Sequence, residues 1–150
     1  MENKIFKEGL ILRIPTRVYR FIEYELYKYD DYKKALEQER ENILKSGGGY
    51  YSDGMPKGNG LANISLDKTM ELNESLTIIS LERSINAVDV ALRRLNETHH
   101  KIFDNIYRKG RTDIYLICDE LGISDRTFQR YKNKIIETAG VELGAIKSLA

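Results

Sequence analysis

Apolar and charged residues recur with helical spacing in the first third of the chain. From Thr16 to about Lys45, apolar or aromatic residues follow one another at steps of three, four or seven: Val18, Ile22, Tyr29, Tyr32, Leu36 and Ile43. Such steps place side chains on one face of an α-helix, and charged residues fill the other face. The pattern predicts a long amphipathic helix in an N-terminal segment, residues 1–45.

The most regular pattern comes after a glycine-rich stretch. Residues 46–64 contain six glycines, which are costly inside helices, and we interpret them as a flexible connector. Residues 65–95 then carry apolar positions at alternating steps of three and four: Ile78, Leu81, Ile85, Val88, Leu92 and Leu95. We therefore expect a second long helix that folds back on the first, as a coiled-coil-like helical hairpin. Glu25 and Glu39 interrupt a strict heptad in the first helix.

Capping residues and glycines divide the last segment, residues 96–150, into short helices. The dividing residues are Asn96, Gly110, Thr112, Gly122, Ser124 and Gly140. We expect a helix that starts after Asn96 and ends at Gly110, one that is capped by Thr112 and ends at Leu121, and a last one from Ser124 to about Ala139. The predicted fold class is all-α.

The last two of these helices have the sequence features of a helix-turn-helix. Gly122 suits the left-handed backbone of a tight corner, and Ile123 can fill the core behind it. Cys118 is a small residue where the second helix must cross closely. Phe128 and Tyr131 lie three residues apart and can hold the second helix to the core. The alternative is an ordinary corner in a helical bundle, followed by a solvated polar helix.

The remaining face of the second helix is rich in groups that bind DNA. Arginine suits guanine, glutamine and asparagine suit adenine, and residues near the start of such a helix reach deepest into the groove. The residues expected to contact bases are Arg126, Thr127, Gln129 and Arg130. The residues expected to contact phosphates are Ser124, Lys132, Lys134, Arg108, Lys109 and Arg111. The same face includes Asp125 and Asn133.

Charge and composition limit the other functions. The net charge of the chain is only +1, but residues 108–134 hold seven positive and four negative side chains, a local excess of +3. A single cysteine excludes a disulfide framework within the chain. The sequence has no apolar run that could cross a bilayer and no secretory signal, so we expect a cytoplasmic protein.

The other polar residues of the sequence do not indicate a metal site or a catalytic site. His99 and His100 are adjacent, whereas metal ligands on a helix are three or four residues apart, so we interpret both as surface residues. No catalytic constellation was found, and we expect no enzyme activity, no cofactor and no metal. Tyrosines crowd the first helix, at positions 19, 24, 27, 29 and 32, where they either cover the hairpin seam or form a surface for a protein partner.

Three stretches together resemble a known family. They are FIEYELYKYDDYKKALEQERENIL (Phe21–Leu44), LERSINAVDVALRRLNETHHKIFDNIY (Leu81–Tyr107) and ICDELGISDRTFQRYKNKII (Ile117–Ile136). Their order and spacing resemble the RinA/ArpU-type phage transcriptional regulators, which activate late operons for DNA packaging and morphogenesis. The last two stretches are also similar to region 4 of bacterial sigma factors. The chain departs from the family in lacking a tryptophan after Tyr107.

The resemblance implies a sequence-specific activator of phage or prophage late genes that binds double-stranded DNA in the bacterial cytoplasm. It also implies that the protein activates transcription near RNA polymerase. Whether it contacts the polymerase directly, and whether it forms a homodimer, both stay open. Two alternatives remain: a DNA-packaging protein like a terminase small subunit, and a sigma-like or anti-sigma adaptor. The operator sequence, and whether transcription is activated or repressed, are left open by the sequence.

Overall fold

The chain begins with two short strands before its first helix. A computed structural model describes residues 2–7, 10–46, 70–71 and 75–147. Strands β1 (Glu2–Lys7) and β2 (Leu10–Pro15) pair antiparallel. The long helix expected within residues 1–45 therefore occupies only the part after Pro15. This hairpin was not predicted, because so short an apolar run has no periodicity that separates a strand from other structure.

Helices form most of the rest of the described chain. They are α1 (Thr16–Ser46), α2 (Leu76–Arg93), α3 (Glu97–Phe103), a π-helical turn (Asp104–Arg108), α4 (Ile114–Leu121) and α5 (Asp125–Glu142). The mostly helical, all-α character expected from the sequence is confirmed. Parts of the connector and of the second predicted segment, residues 47–69 and 72–74, lie outside the described residues.

The chain divides into two units, residues 1–30 with 86–150, and residues 31–85. In the first unit, the Tyr29 hydroxyl donates a hydrogen bond to Asp89 Oδ1, which joins α1 to α2. In the second unit, Arg40 and Glu82 form an ion pair. The apolar positions predicted for α2 are buried or half-buried, and Glu25, expected to interrupt the seam of α1, is itself buried. The helical hairpin as a whole stays a prediction.

Most of the core belongs to the first unit. Its largest fully buried side chains are Phe103, Phe128, Ile22, Leu26, Ile102, Ile117, Ile135, Ile136 and Val88. Because these residues come from α1, α2, α3, α4 and α5, the short helices of the last segment pack with the first half of α1 around one core. Strand β1 lies against α5.

Some predicted capping residues cap their helices in the structure, and at another helix end a neighbouring residue is the cap. Asn96 caps α3, where its Oδ1 accepts from the His99 backbone N–H at 3.0 Å. Helix α4 is capped by Asp113, not by Thr112, and the Asp113 carboxylate accepts from the Leu116 N–H at 3.1 Å. A carboxylate suits this end because the first N–H groups of a helix carry partial positive charge.

The end of α5 also differs from the prediction. Gly140 was expected to end the helix near Ala139, yet the helix continues to Glu142. A Cβ atom at Gly140 would lie 2.6 Å from the Cδ1 atoms of both Ile22 and Ile146. This glycine therefore serves close packing inside a helix, and a positive φ at Gly144 follows only after the helix has ended.

Candidate nucleic-acid interface

The corner between α4 and α5 is fixed by its backbone. Gly122 adopts φ 65° and ψ 35°, the left-handed conformation that the sequence predicted. Its N–H donates to the Asp119 carbonyl at 3.3 Å, and the Ile123 N–H donates to the Cys118 carbonyl at 3.1 Å. This pair of bonds is a Schellman motif, which satisfies the last carbonyls of α4 and turns the chain sharply.

Helix α5 starts at a well-formed cap. The Ser124 hydroxyl oxygen accepts from the Thr127 N–H at 3.2 Å, and the Ser124 hydroxyl donates to Thr127 Oγ1 at 3.0 Å. Asp125 in the first turn adds a negative charge where the helix dipole favours one. The hydroxyls of Ser124 and Thr127 thus serve the helix itself, in addition to the DNA contacts predicted for them.

The inner side of α5 holds the helix to the core. Phe128 is fully buried, as predicted from its position after the corner. Tyr131 is half-buried, and its ring packs edge-on against His99 with the centroids 4.6 Å apart. Ile135 and Ile136 are also fully buried. These contacts fix how α5 is rotated about its own axis and so decide which side chains face outward.

The outward side of α5 is confined to its first two turns. Asp125, Arg126, Gln129 and Arg130 are exposed. Arg126, Gln129, Arg130 and Asn133 line an open concavity on the surface. Gln129 Nε2 donates to Asn133 Oδ1 at 3.0 Å, and this bond orients both amides. Two guanidinium groups and an oriented amide therefore stand together on one exposed side of a rigid helix.

Asn133 and the lysines of α5 are placed differently from the exposed arginines. Asn133 is buried, at 7% exposure, and its Oδ1 accepts the hydrogen bond from Gln129. Lys132 Nζ lies 3.1 Å from Glu23 of α1, with both side chains about one-fifth exposed. Lys134 is half-buried. The predicted phosphate role of Lys132 has to compete with this ion pair, which a sequence pattern in α5 alone could not reveal.

The basic cluster before α4 is also largely engaged by carboxylates. Arg108 lies 3.4 Å from Asp30 and 3.2 Å from Asp104, and its guanidinium stands over two aromatic rings. Arg111 forms a two-pronged ion pair with Glu120, at 2.7 and 2.9 Å. These hydrogen bonds raise the pKa of Arg111 and lower the pKa of Glu120.

Lys109 is the third member of that basic cluster. It is exposed at the end of the π-helical turn, next to Gly110, which has a φ of 65°. The three residues of this cluster, all predicted to contact phosphates, thus have different surroundings in the structure. Arg108 pairs with Asp30 of α1 and with Asp104, Arg111 pairs with Glu120 of α4, and Lys109 is exposed.

His99 was wrongly expected at the surface. It is 8% exposed, and its Nδ1 accepts from the Asn96 backbone N–H at 3.3 Å, which completes a capping box. Burial, followed by the positive charge of Lys134, lowers the pKa of His99. The signal was in the sequence, because a capping box needs an acceptor three residues after the cap.

Within residues 2–7, 10–46, 70–71 and 75–147, no group of three potential His, Cys, Asp or Glu ligands is placed to hold a metal ion. Among the helices that the structure describes, none has the length and apolar character needed to span a membrane.

Three comparisons with known proteins complete the description of this surface. The chain was compared with models of protein families, with curated proteins and with solved structures, and none of the three gave a match. The resemblance noted from the sequence therefore stays a prediction.

Proposed function

We propose that the chain is a sequence-specific DNA-binding transcription regulator whose α4–α5 pair is a helix-turn-helix. In this proposal the start of α5 enters the major groove. The observation that carries it is the exposure of Arg126, Gln129 and Arg130 on the first two turns of α5, whose inner side is fixed by Phe128. The resemblance to phage late activators adds the expectation of activation near RNA polymerase.

The exposed groups have the donors that base recognition needs. An arginine fork can donate to guanine O6 and N7, and a glutamine amide can bind adenine N6 and N7. Because the cap and the core contacts fix α5, the arginines lose only side-chain freedom on binding, and no helix has to form. The charge on the exposed turns is modest, with Arg126 and Arg130 opposed by Asp125. Lys109 is the best-placed additional cation for a phosphate.

The test starts from a pool of random DNA duplexes, because the operator is not known. Purified full-length protein selects its preferred duplex, and fluorescence anisotropy then compares that duplex with a scrambled one. Arg126→Ala and Arg130→Ala should each weaken binding to the selected duplex by about 1–3 kcal/mol and relax the preference at particular base pairs. Lys109→Ala should weaken binding to both duplexes alike and reduce the salt dependence by about one charge.

A matched control separates recognition from general loss of charge. Arg83 is an exposed arginine of α2 in the other unit, so Arg83→Ala removes the same group outside the proposed interface. This variant should bind the selected duplex like the wild type. The proposal is wrong if selection enriches no sequence, or if the Arg126→Ala/Arg130→Ala double variant binds as tightly as the wild type.

The regulatory part of the proposal needs its own readout. Transcription in vitro from a promoter that carries the selected site should rise on addition of the wild type and stay at the basal level with the double variant. Specific binding without any change in transcription would instead favour the DNA-packaging alternative.

A further inference from the structure

Exposed aromatic side chains form a stripe on the first half of α1. Phe21, Tyr24 and Tyr27 are each about half exposed, at 47%, 55% and 48%. They lie at steps of three, and exposed Arg17 and Arg20 fall on the same third of the helix circumference. We call this surface the α1 face, defined by Arg17, Arg20, Phe21, Tyr24 and Tyr27. Its charged members are all positive.

Neighbouring contacts hold the α1 face in place. The Tyr27 ring packs edge-on against Tyr107 with the centroids 4.8 Å apart, and Lys28 Nζ stands 5.9 Å from the centroid of the Tyr24 ring. An ordered surface of aromatic and arginine side chains has the composition of a protein-binding hot spot. The tyrosines of α1 thus divide into two sets, since Tyr19 and Tyr29 are buried in the core.

A second apolar surface lies on α4 and has the opposite charge. Tyr115 is 72% exposed and Leu116 is 47% exposed. Exposed Asp119 lies between Tyr115 and Leu116 around the helix axis, and exposed Asp113 stands at the N-terminal end of the helix, which it caps. We call this surface the α4 face, defined by Asp113, Tyr115, Leu116 and Asp119. Its charged members are all negative, and the nearby Glu120 is already engaged by Arg111.

We propose that the α1 face of one copy of this chain binds the α4 face of a second copy. Each face pairs an apolar centre with charges of one sign, and the two signs are complementary. Pairing α1 faces with each other would bring Arg17 and Arg20 against like charges, and pairing α4 faces would do the same to Asp113 and Asp119. Juxtaposed like charges oppose association, so the charges favour the unlike pairing.

The unlike pairing has a consequence for the size of the assembly. Each copy that joins the assembly binds through one of its two faces, and its other face stays available for a further copy. A contact of this kind is heterologous and builds a ring or an open chain of subunits, whereas a two-fold contact stops at a dimer. None of the residues in the two faces belongs to the exposed side of α5, so the inference does not rest on the proposed DNA binding.

The experiment measures the mass of the full-length protein in solution by sedimentation across a concentration series. The α1-face variant is Arg20→Glu/Tyr24→Ser, and the α4-face variant is Tyr115→Ser/Asp119→Lys. The wild type should grow in mass with concentration, and each variant alone should lose about tenfold or more in association constant, as expected for hot-spot residues. High salt should weaken the wild-type assembly, because the Debye length falls from about 10 Å at 0.1 M to about 3 Å at 1 M.

Mixing the two variants is the decisive measurement. The α1-face variant keeps an intact α4 face, and the α4-face variant keeps an intact α1 face. An equimolar mixture should therefore form a complex of two chains that grows no further. This result also shows that both variants are folded. The matched control Arg83→Glu/Leu76→Ser makes the same kinds of change at two exposed positions of α2 and should assemble like the wild type.

Several results would overturn the proposal. One is a wild type that stays monomeric at every concentration. If, in that case, the α1-face variant loses affinity for a single-stranded oligonucleotide, the α1 face binds nucleic acid and not a second copy. Another is an α4-face variant that still dimerises, which would mean that like faces pair. A mixture that remains monomeric, although both variants unfold cooperatively on heating, would show that the two faces do not bind each other. Loss of assembly in the control would move the contact elsewhere.

Discussion

The corner glycine offers a test of the local structure that orients α5. Gly122 has a φ of 65°, and no heavy atom of the described residues lies within 4 Å of a Cβ built there. Gly122→Ala therefore adds no clash, and its cost is that of a left-handed backbone with a side chain, about 1–2 kcal/mol. The lower entropy of the unfolded alanine chain returns about 0.4–1 kcal/mol. The expected net loss of stability is about 1 kcal/mol.

Thermal unfolding followed by circular dichroism measures this loss. For a chain of 150 residues, a loss of about 1 kcal/mol lowers the Tm by about 3 °C. Gly122→Asn should cost less, because asparagine tolerates the left-handed conformation better than alanine. Gly110→Ala is the matched control, since Gly110 has the same φ and is equally open, and it should cost a similar amount. A higher Tm for Gly122→Ala would refute the left-handed corner.

Three further predictions concern the residues that hold α5 and α3. Phe128→Ala should cost about 3–5 kcal/mol, and Phe128→Leu clearly less, in denaturant unfolding, because the ring is fully buried; equal losses would contradict tight packing. Ser124→Ala should cost about 1 kcal/mol by leaving the Thr127 N–H without its cap, and Ser124→Asp should preserve stability. Burial lowers the pKa of folded His99 below the unfolded value of about 6.5. Stability should thus be complete above pH 6.5 and fall as the pH drops from there to the folded pKa. His99→Gln should flatten this fall and His100→Gln should retain it, so equal slopes would exclude His99 as its source.

Helix ends could be predicted wherever one residue type decides them. Ser124 and Asn96 cap helices as expected, because their short polar side chains reach the free N–H groups of the next turn. Gly122 takes the left-handed conformation for the same kind of local reason. Gly140 misled the prediction, because its role depends on Ile22, more than a hundred residues earlier in the chain, and on Ile146.

The β-hairpin could have been predicted from the residue types of the N-terminal segment, although its apolar spacing gave no clear signal. Ile5, Phe6, Ile11 and Ile14 are β-branched or aromatic, which favours strands, and Gly9 stands between the two runs. The π-helical turn has no comparable signal. Its residues, Asp104–Arg108, fit an ordinary helix.

The sequence predicted which side chains of the candidate interface are exposed, but it did not predict which of its basic residues form ion pairs with other helices. The outward position of Arg126, Gln129 and Arg130 follows from the buried position of Phe128 and helical geometry. That Lys132 meets Glu23, and that Arg111 meets Glu120, depends on how separate helices pack. Periodicity along one helix carries no information about such pairs.

The burial of the second half of α5 limits how much sequence one copy of the chain can distinguish. Asn133, Ile135, Ile136, Glu137, Ala139 and Gly140 are buried, and the exposed residues of α5 all lie within the six positions 125–130. Six helical residues span about 9 Å, and base pairs are stacked about 3.4 Å apart. Under the proposed function, a single copy would read about three base pairs, which recur throughout any genome. A unique address would then require several copies on adjacent sites or an additional DNA contact.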